Sequence, residues 1–435
     1  MAKKLSSALG IDIGSQKIKV CEIRSQGRGE PVVTALGIID TPEGAVDHTG
    51  VYNSDAVGQA LRQVLSQSGA SSSQAIISVA GQASVLVRTL EVPKMNPAEL
   101  KEHMQWEINR NIPFAESTIV SDFRPLGGDD PNSPNMDVVM AIAPQSAIDT
   151  MIACVKKAGK STNAIDVEPL SMARSIQKSY GDILAGKTVC MVDIGHKTTS
   201  INIYHGDRLL MPRQVPVGGE LFTKAIADAF AISIPEAEAM KLESASIPEW
   251  AGPTGDAMDP FGDSGITAGF QAYNPFADDP LPYTAPADAS TNPFADPAPF
   301  SDPSAAPEAS DDLPSFDAIP EPAAHTPAPV DNTPSGRIFT AIAPILEEFV
   351  SEVRRSIDYY RSRGGDVDAV ELCGGGAKLA GLNAYLTKSL GIECDSYDPL
   401  RRLNLNVRKV APTFVEDHKQ EFAVAVGNGL HIFFD

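Results

Sequence analysis

The chain has 435 residues, 43% of them hydrophobic, which is ordinary for a globular protein but more than a single hydrophobic core can serve. Its net charge of −21, with Lys and Arg nowhere concentrated, excludes a phosphate-neutralising nucleic-acid binder. Five scattered cysteines without metal or redox spacing, and no apolar run long enough to span a bilayer, predict a cytoplasmic protein in a reducing compartment.

The pattern opens with strands over 9–23 and 31–39 and a helix over 55–67 that carries Val57, Leu61, Val64 and Leu65 on one face. A block over 75–164 reads as a small α+β module. In it, strands over 75–80, 84–92 and 136–143 flank a helix from Asn96-Pro97-Ala98-Glu99, which supplies a cap, Pro at the first position and Glu at the third. A further helix contains Ile148, Met151, Ile152 and Val155. A strand over 164–167 then passes through Glu168-Pro169 into another helix.

From about 244 to 335 the sequence is Pro, Ala, Asp and Ser, and predicts disorder because it offers too little apolar surface to offset ordering. Between Leu242 and Gly336 there are sixteen acidic residues and no Lys or Arg; taking these from the net charge of −21 leaves −5 for the rest. Asn-Pro-Phe-Ala-Asp occurs in this stretch at 274–278 and 292–296, as linker drift or as a docking motif. Beyond it, 337–363 carries an apolar stripe at helical spacing, and a strand over 369–373 empties into Gly374-Gly375-Gly376.

The chemistry lies in a repeat. Segments 9–23 and 190–204 both read as strand, Asp-Ile-Gly, polar turn, strand. Two such turns facing each other aim backbone N–H groups at a polyphosphate. Asp12 and Asp193 at the strand ends suit a hydrated Mg²⁺, and Lys19 adds a point charge. Glu168, at a strand-to-helix junction, is placed either to orient an attacking water or simply to complement a helix dipole. The glycine triplet predicts close backbone approach to a flat ligand.

These motifs, in this order, resemble the superfamily of ATPases that holds actin, sugar kinases and heat-shock chaperones. Stretches 85–93, 102–114, 166–174, 352–360 and 422–429 resemble the PilM family of type IV pilus assembly proteins, relatives of the division protein FtsA. The resemblance implies an α/β, actin-like ATPase fold: two lobes with duplicated ribonuclease-H-like cores and an inserted FtsA-like 1C subdomain. The implied divisions are a first-lobe core over 1–74, completed by 165–185 and 415–435, and the 1C module over 75–164. A second-lobe core follows over 186–217 and 364–414, with a nucleotide-covering subdomain over 218–243 and 336–363.

By the same resemblance, Asp12, Gly14 and Ser15 form the first phosphate turn and Asp193, Gly195 and Thr198 the second, with Glu168 as the water-orienting acid. Gly218, Gly219, Glu220, Glu238 and Lys241 contact ribose and base. Gly374, Gly375 and Lys378 close over the base, with Arg355 as a further adenine-side residue. The implied cofactors are ATP and Mg²⁺, with at most slow ATPase turnover. The implied partner is the N-terminal peptide of a PilN-like inner-membrane protein in a groove by the module, with Arg88 and Trp106 as candidate lining residues. Further candidate partners are a pilus motor ATPase and a second copy of the chain. Attachment to the inner membrane is expected through partners, as a scaffold. An FtsA-like division protein and a small-molecule kinase stand as alternatives, although the sequence presents no substrate-hydroxyl base for the latter.

Overall fold

The computed structural model describes residues 5–27, 29–79, 81, 84–114, 118–127, 133–249 and 333–434. The stretch 250–332, with the Asn-Pro-Phe repeats and most of the expected disorder, lies outside them. In chain order the strands are β1 (Ser7–Ile13), β2 (Lys17–Gln26), β3 (Glu30–Asp40), β4 (Gln74–Val79), β5 (Leu86–Pro93), β6 (Ile119–Pro125), β7 (Asn135–Pro144), β8 (Ser161–Val167), β9 (Thr188–Ile194), β10 (Thr199–His205), β11 (Arg208–Met211), β12 (Gln214–Val215), β13 (Ala369–Cys373), β14 (Cys394–Ser396) and β15 (Asn404–Leu405). The helices are α1 (Ser54–Ser68), α2 (Pro97–Arg110), α3 (Gln145–Lys157), α4 (Glu168–Tyr180), α5 (Gly219–Phe230), α6 (Ile234–Ser244), α7 (Pro334–Ser362), α8 (Leu382–Leu390), α9 (Pro412–His418) and α10 (Ala423–Leu430).

Duplication is visible in the sheets. The first runs β15-β3-β2-β1-β4-β8 and the second β11-β10-β9-β13-β14. In each, a three-stranded antiparallel meander is extended on its first strand by two parallel strands. The two Asp-Ile-Gly segments thus occupy the same place in two copies of one topology, the duplicated core of an actin-like fold. The central strands are apolar because both faces are covered. Behind β1, α1 and α3 bury Val57, Leu61, Met151 and Val155, while α10 lies across its other face. A Cβ on Gly10 would fall 2.0 Å from the carbonyl oxygen of Ala425, so this helix approaches the strand only because that residue is glycine.

One buried side chain ties these elements together. Asn428, fully buried in α10, donates to the Ile11 carbonyl at 2.8 Å and accepts from the Ser78 and Ser171 hydroxyls at 2.8 and 2.6 Å. Its partners lie on β1, β4 and α4, so it fixes the strand that presents Asp12.

The inserted module is smaller than the sequence pattern predicts. β4 is a central strand of the first sheet and α3 packs on α1, so both belong to the first lobe; the module proper is the antiparallel sheet β5-β7-β6 with α2 on one face. Periodicity cannot separate them, because a strand pattern carries no label for the sheet it joins. The capping box at Asn96 forms as its sequence predicts, with Asn96 Oδ1 accepting from the Ala98 and Glu99 N–H groups at 3.0 Å and Glu99 returning to the Asn96 N–H at 3.1 Å. The module also touches the second lobe, where the Thr89 hydroxyl donates to the Leu210 carbonyl at 2.7 Å and Arg208 pairs with Asp137.

The return to the first lobe also comes earlier than 415: Leu400 and Leu403 pack with Phe422 in its core, and β15 pairs with β3. At the root of the insertion the chain is ordered beyond the expected boundary. Ile247 is buried, its N–H donates to the Ala380 carbonyl at 2.8 Å, and α7 begins at Pro334 under a Thr333 cap. The hydroxyls of Ser246 and Ser335 meet at 2.7 Å, closing the insertion at its base. Among the described residues no helix is long and apolar enough to cross a membrane.

Candidate functional site

Both turns close with the same hydrogen bond. In β1–β2 the Gly14 N–H donates to the Lys17 carbonyl at 3.1 Å, and in β9–β10 the Gly195 N–H donates to the Thr198 carbonyl at 3.0 Å. Register places Asp12 opposite Lys19 and Asp193 opposite Ser200. The Lys19 ammonium donates to Asp12 Oδ2 at 2.9 Å. The turns face one cavity of about 1140 Å³, whose floor holds Asp12, Asp193 and Glu168, the last at the end of β8.

These carboxyls crowd one another. Burial pushes Glu168 up to about 8, helped by Asp193 and Asp12 and opposed by a hydrogen bond from Ser200 and by Lys19. Burial likewise lifts Asp193 to about 6, with Lys19 opposing and Asp12 and Glu421 adding to the rise. Such a floor favours a cation or a proton. Among the described residues no cluster of three or more His, Cys, Asp or Glu forms a metal site on its own. A divalent ion held by Asp12 and Asp193 would need its remaining ligands from water and from a bound molecule.

Of the residues expected in the site, Asp12, Gly14, Ser15, Lys19, Glu168, Asp193, Gly195, Thr198, Gly219, Glu238, Lys241, Gly375 and Lys378 line this cavity. Gly218, Glu220 and Gly374 stand just behind it. The Gly219 and Glu220 N–H groups donate to the Gly195 and His196 carbonyls at 3.0 and 2.8 Å, seating α5 on the second turn, while the Glu220 carboxylate pairs with Lys224 at 3.0 Å.

Arg355 is not brought there: it lies on α7, 67% exposed, paired with Glu352 at 2.7 Å. The glycine triplet also works differently from the expectation of ligand approach. Gly374 has φ of 83°, and a Cβ on it would fall 2.3 Å from Asp193 Oδ1; one on Gly376 would fall 2.2 Å from Ile194 Cγ2. These two let β13 close against the end of β9, and only Gly375 leaves room on the cavity side.

Two cavity-lining residues make side-chain links across the cleft that no motif announces. Gln16, in the first turn, donates to Glu238 of α6 at 3.3 Å across the cleft, and Glu238 also accepts from Lys241 at 2.7 Å. Glu421, just before α10, accepts from Lys378 at 3.1 Å and lies 3.6 Å from Lys17. The lining thus holds eight carboxylates against five lysines, and each lysine is already paired with a carboxylate. A polyphosphate entering alone would meet net repulsion, whereas its complex with a divalent cation would not.

The same cavity has a second arm on the first lobe at the root of the module, lined by Asp47, Thr49, Tyr52, Ser146 and Thr150 of the lobe and by Ser84 and Pro144, where the chain enters and leaves the module's sheet. The arms are wired together: Thr41 donates through its N–H to the Gln16 carbonyl at 2.9 Å and through its hydroxyl to the Gly14 carbonyl at 2.7 Å, and Ser84 Oγ donates to the Thr49 carbonyl at 2.5 Å. Neither candidate for a groove lining is found in this arm. Trp106 is 56% exposed on α2 with the Arg110 guanidinium 5.0 Å from its ring centroid, and Arg88 donates to Asn111 Oδ1 at 2.7 Å.

The family model of the cell division protein FtsA matches residues 190–427. The FtsA of Neisseria meningitidis serogroup B is 23% identical over 53% of this chain and 60% of its own length, so the chain spans less than two thirds of that relative. The FtsA of Bacillus subtilis is 31% identical, over 23% of this chain and 22% of its own. Among solved structures, a PilM-PilN type IV pilus biogenesis complex is similar across 99% of both chains with a TM-score of 0.71 at 23% identity, which is a likeness of fold. The family model of the type IV pilus assembly protein PilM matches residues 10–264, more than half of the sequence, and the chain belongs to that family.

Proposed function

We propose that the protein is a nucleotide-gated scaffold of type IV pilus assembly, holding Mg-ATP between its lobes and the N-terminal tail of a PilN-like inner-membrane protein in the second arm of the cavity. The observation that carries this reading is the pair of identically closed turns facing a single cavity over three crowded carboxyls. Backbone N–H groups of Ser15–Gln16 and His196–Lys197 would hold the phosphates, and Gly219, Glu238, Lys241 and Gly375 the nucleoside side. Bound Mg²⁺ would supply the charge that offsets the carboxylate excess. Glu168, in its ionised form, would accept a hydrogen bond from water at the phosphate end.

Scaffold behaviour follows from the wiring. Thr41 binds both carbonyls of the first turn and begins the loop that walls the second arm, so a ligand that shifts the turn shifts that wall. Reciprocity then requires the peptide to change nucleotide affinity by the same factor. The partner assignment rests on family membership and on the likeness of fold to a PilM-PilN complex. Attachment to the inner membrane would come through that partner.

Calorimetric titration with a synthetic PilN-like N-terminal peptide, with and without Mg-ATP, tests both parts. Binding whose affinity shifts with nucleotide is the expected result. Absence of peptide binding in either state removes the partner assignment, and absence of Mg-ATP binding removes the nucleotide site.

A further inference from the structure

The five lysines of the cleft are not equivalently paired. Lys19, Lys197 and Lys241 each have a carboxylate close by in sequence or on an adjoining element: Asp12 at 2.9 Å, Glu220 at 3.9 Å and Glu238 at 2.7 Å. Lys17 and Lys378 instead share one carboxylate, that of Glu421, from opposite sides. Lys17 belongs to the first turn and Lys378 to the segment after the glycine triplet in the second lobe. Glu421 is buried, with its side chain 3% exposed, and His418 Nδ1 donates to it at 2.7 Å. The backbone next to it is anchored as well, since the Gly374 N–H donates to the Gln420 carbonyl at 2.9 Å. A Cβ on Gly375 would lie 3.9 Å from Glu421 Oε2, so the carboxylate stands beside a glycine that lines the cleft.

Resting on the nucleotide reading above, we infer that Glu421 is an internal stand-in for phosphate: it holds Lys17 and Lys378 together in the empty cleft and gives them up to the polyphosphate of an incoming nucleotide. Both lysines keep about a third of their side-chain surface exposed, so they turn toward a ligand without breaking packing. The carboxylate they leave retains its hydrogen bond from His418. Because the exchange trades one anion for another, its strength grows with ligand charge, and Glu421 sets how sharply the protein separates triphosphate from diphosphate and from bare nucleoside. It is a positioning residue, acting on the ligand through the lysines. It also ties the first turn to the second lobe in the empty state, so releasing the lysines uncouples the lobes at one point when the nucleotide couples them at another.

The test is calorimetric titration of the full chain and of Glu421→Gln with ATP, ADP and adenosine at saturating Mg²⁺. The substitution removes the competing charge while preserving shape. Affinity for ATP should rise on the order of tenfold, that for ADP less, and that for adenosine should be unchanged. A purely structural role would move all three ligands together, and that outcome, or a weakened ATP affinity, overturns the inference. If Glu421→Gln does not fold, Lys17→Gln and Lys378→Gln decide: each should lower ATP affinity severalfold and leave adenosine alone, and no loss would show that the lysines stay on the carboxylate. Failure of the parent chain to bind any nucleotide would instead remove the site itself.

Discussion

Replacing Glu168 by Gln should stabilise the empty protein and at the same time abolish what turnover it has. In the unfolded chain this carboxyl ionises near 4.5, but in the cleft burial and the neighbouring Asp193 and Asp12 raise it to about 8. For a carboxyl raised in this way, the folded state binds the extra proton, so stability falls as pH rises from the unfolded value to the folded one and levels off above it. At pH 7 the burden amounts to about 3 kcal/mol by the conversion of about 1.4 kcal/mol per pH unit, reduced to about 2 because the side chain still meets cleft water. A glutamine keeps the hydrogen bond to Ser200 without the charge. Urea unfolding of Glu168→Gln against the parent, without nucleotide, should therefore show a gain of about 2 kcal/mol at pH 7 and less than about 1 kcal/mol at pH 5. A gain independent of pH, or a loss at neutral pH, would refute the picture of carboxyls crowded on the cleft floor. Phosphate release by the same variant should drop by about a hundredfold or more.

Asn428→Ala deletes three buried hydrogen bonds, at a cost of about 3 kcal/mol measured by urea unfolding at neutral pH. Joining residue 249 to 333 through a short Gly/Ser linker should move the melting temperature by no more than a few degrees, since Ser246 and Ser335 already touch; calorimetry that showed a large drop would mean the excised stretch is packed.

How much of this was legible beforehand depended on the range of the interaction. The Asp-Ile-Gly turns close within four residues, and the capping box at Asn96 within three, so their signatures sit side by side in the chain. The stripe of α7 was equally local, with Ile342, Leu346, Phe349 and Val353 buried as spaced. Glu421 is the opposite case: its partners Lys17 and Lys378 come from distant parts of the chain, and a single Glu in a short helical turn has no pattern to announce it. The link from Gln16 to Glu238 is invisible for the same reason. The glycine triplet was correctly seen as a place of close approach, but what approaches two of its members is the Asp193 strand, a fact of tertiary packing. Trp106 illustrates a converse limit, for neither composition nor periodicity shows that a tryptophan on an amphipathic helix faces outward beside an arginine.

The paired hydroxyls of Ser246 and Ser335 have a consequence for how this chain could have been assembled over time. The polypeptide departs from the second lobe and comes back through the same doorway, with Ile247 and the Thr333 cap serving as its two jambs. With its two ends already joined, the lobe meets only the closure cost of the chain between them. Each doubling of an unstructured excursion costs only about 0.6 kcal/mol of closure entropy, so such a stretch could grow, shrink or be exchanged with little effect on the nucleotide cleft. The same property makes this the natural place to graft a fluorescent domain or an affinity tag.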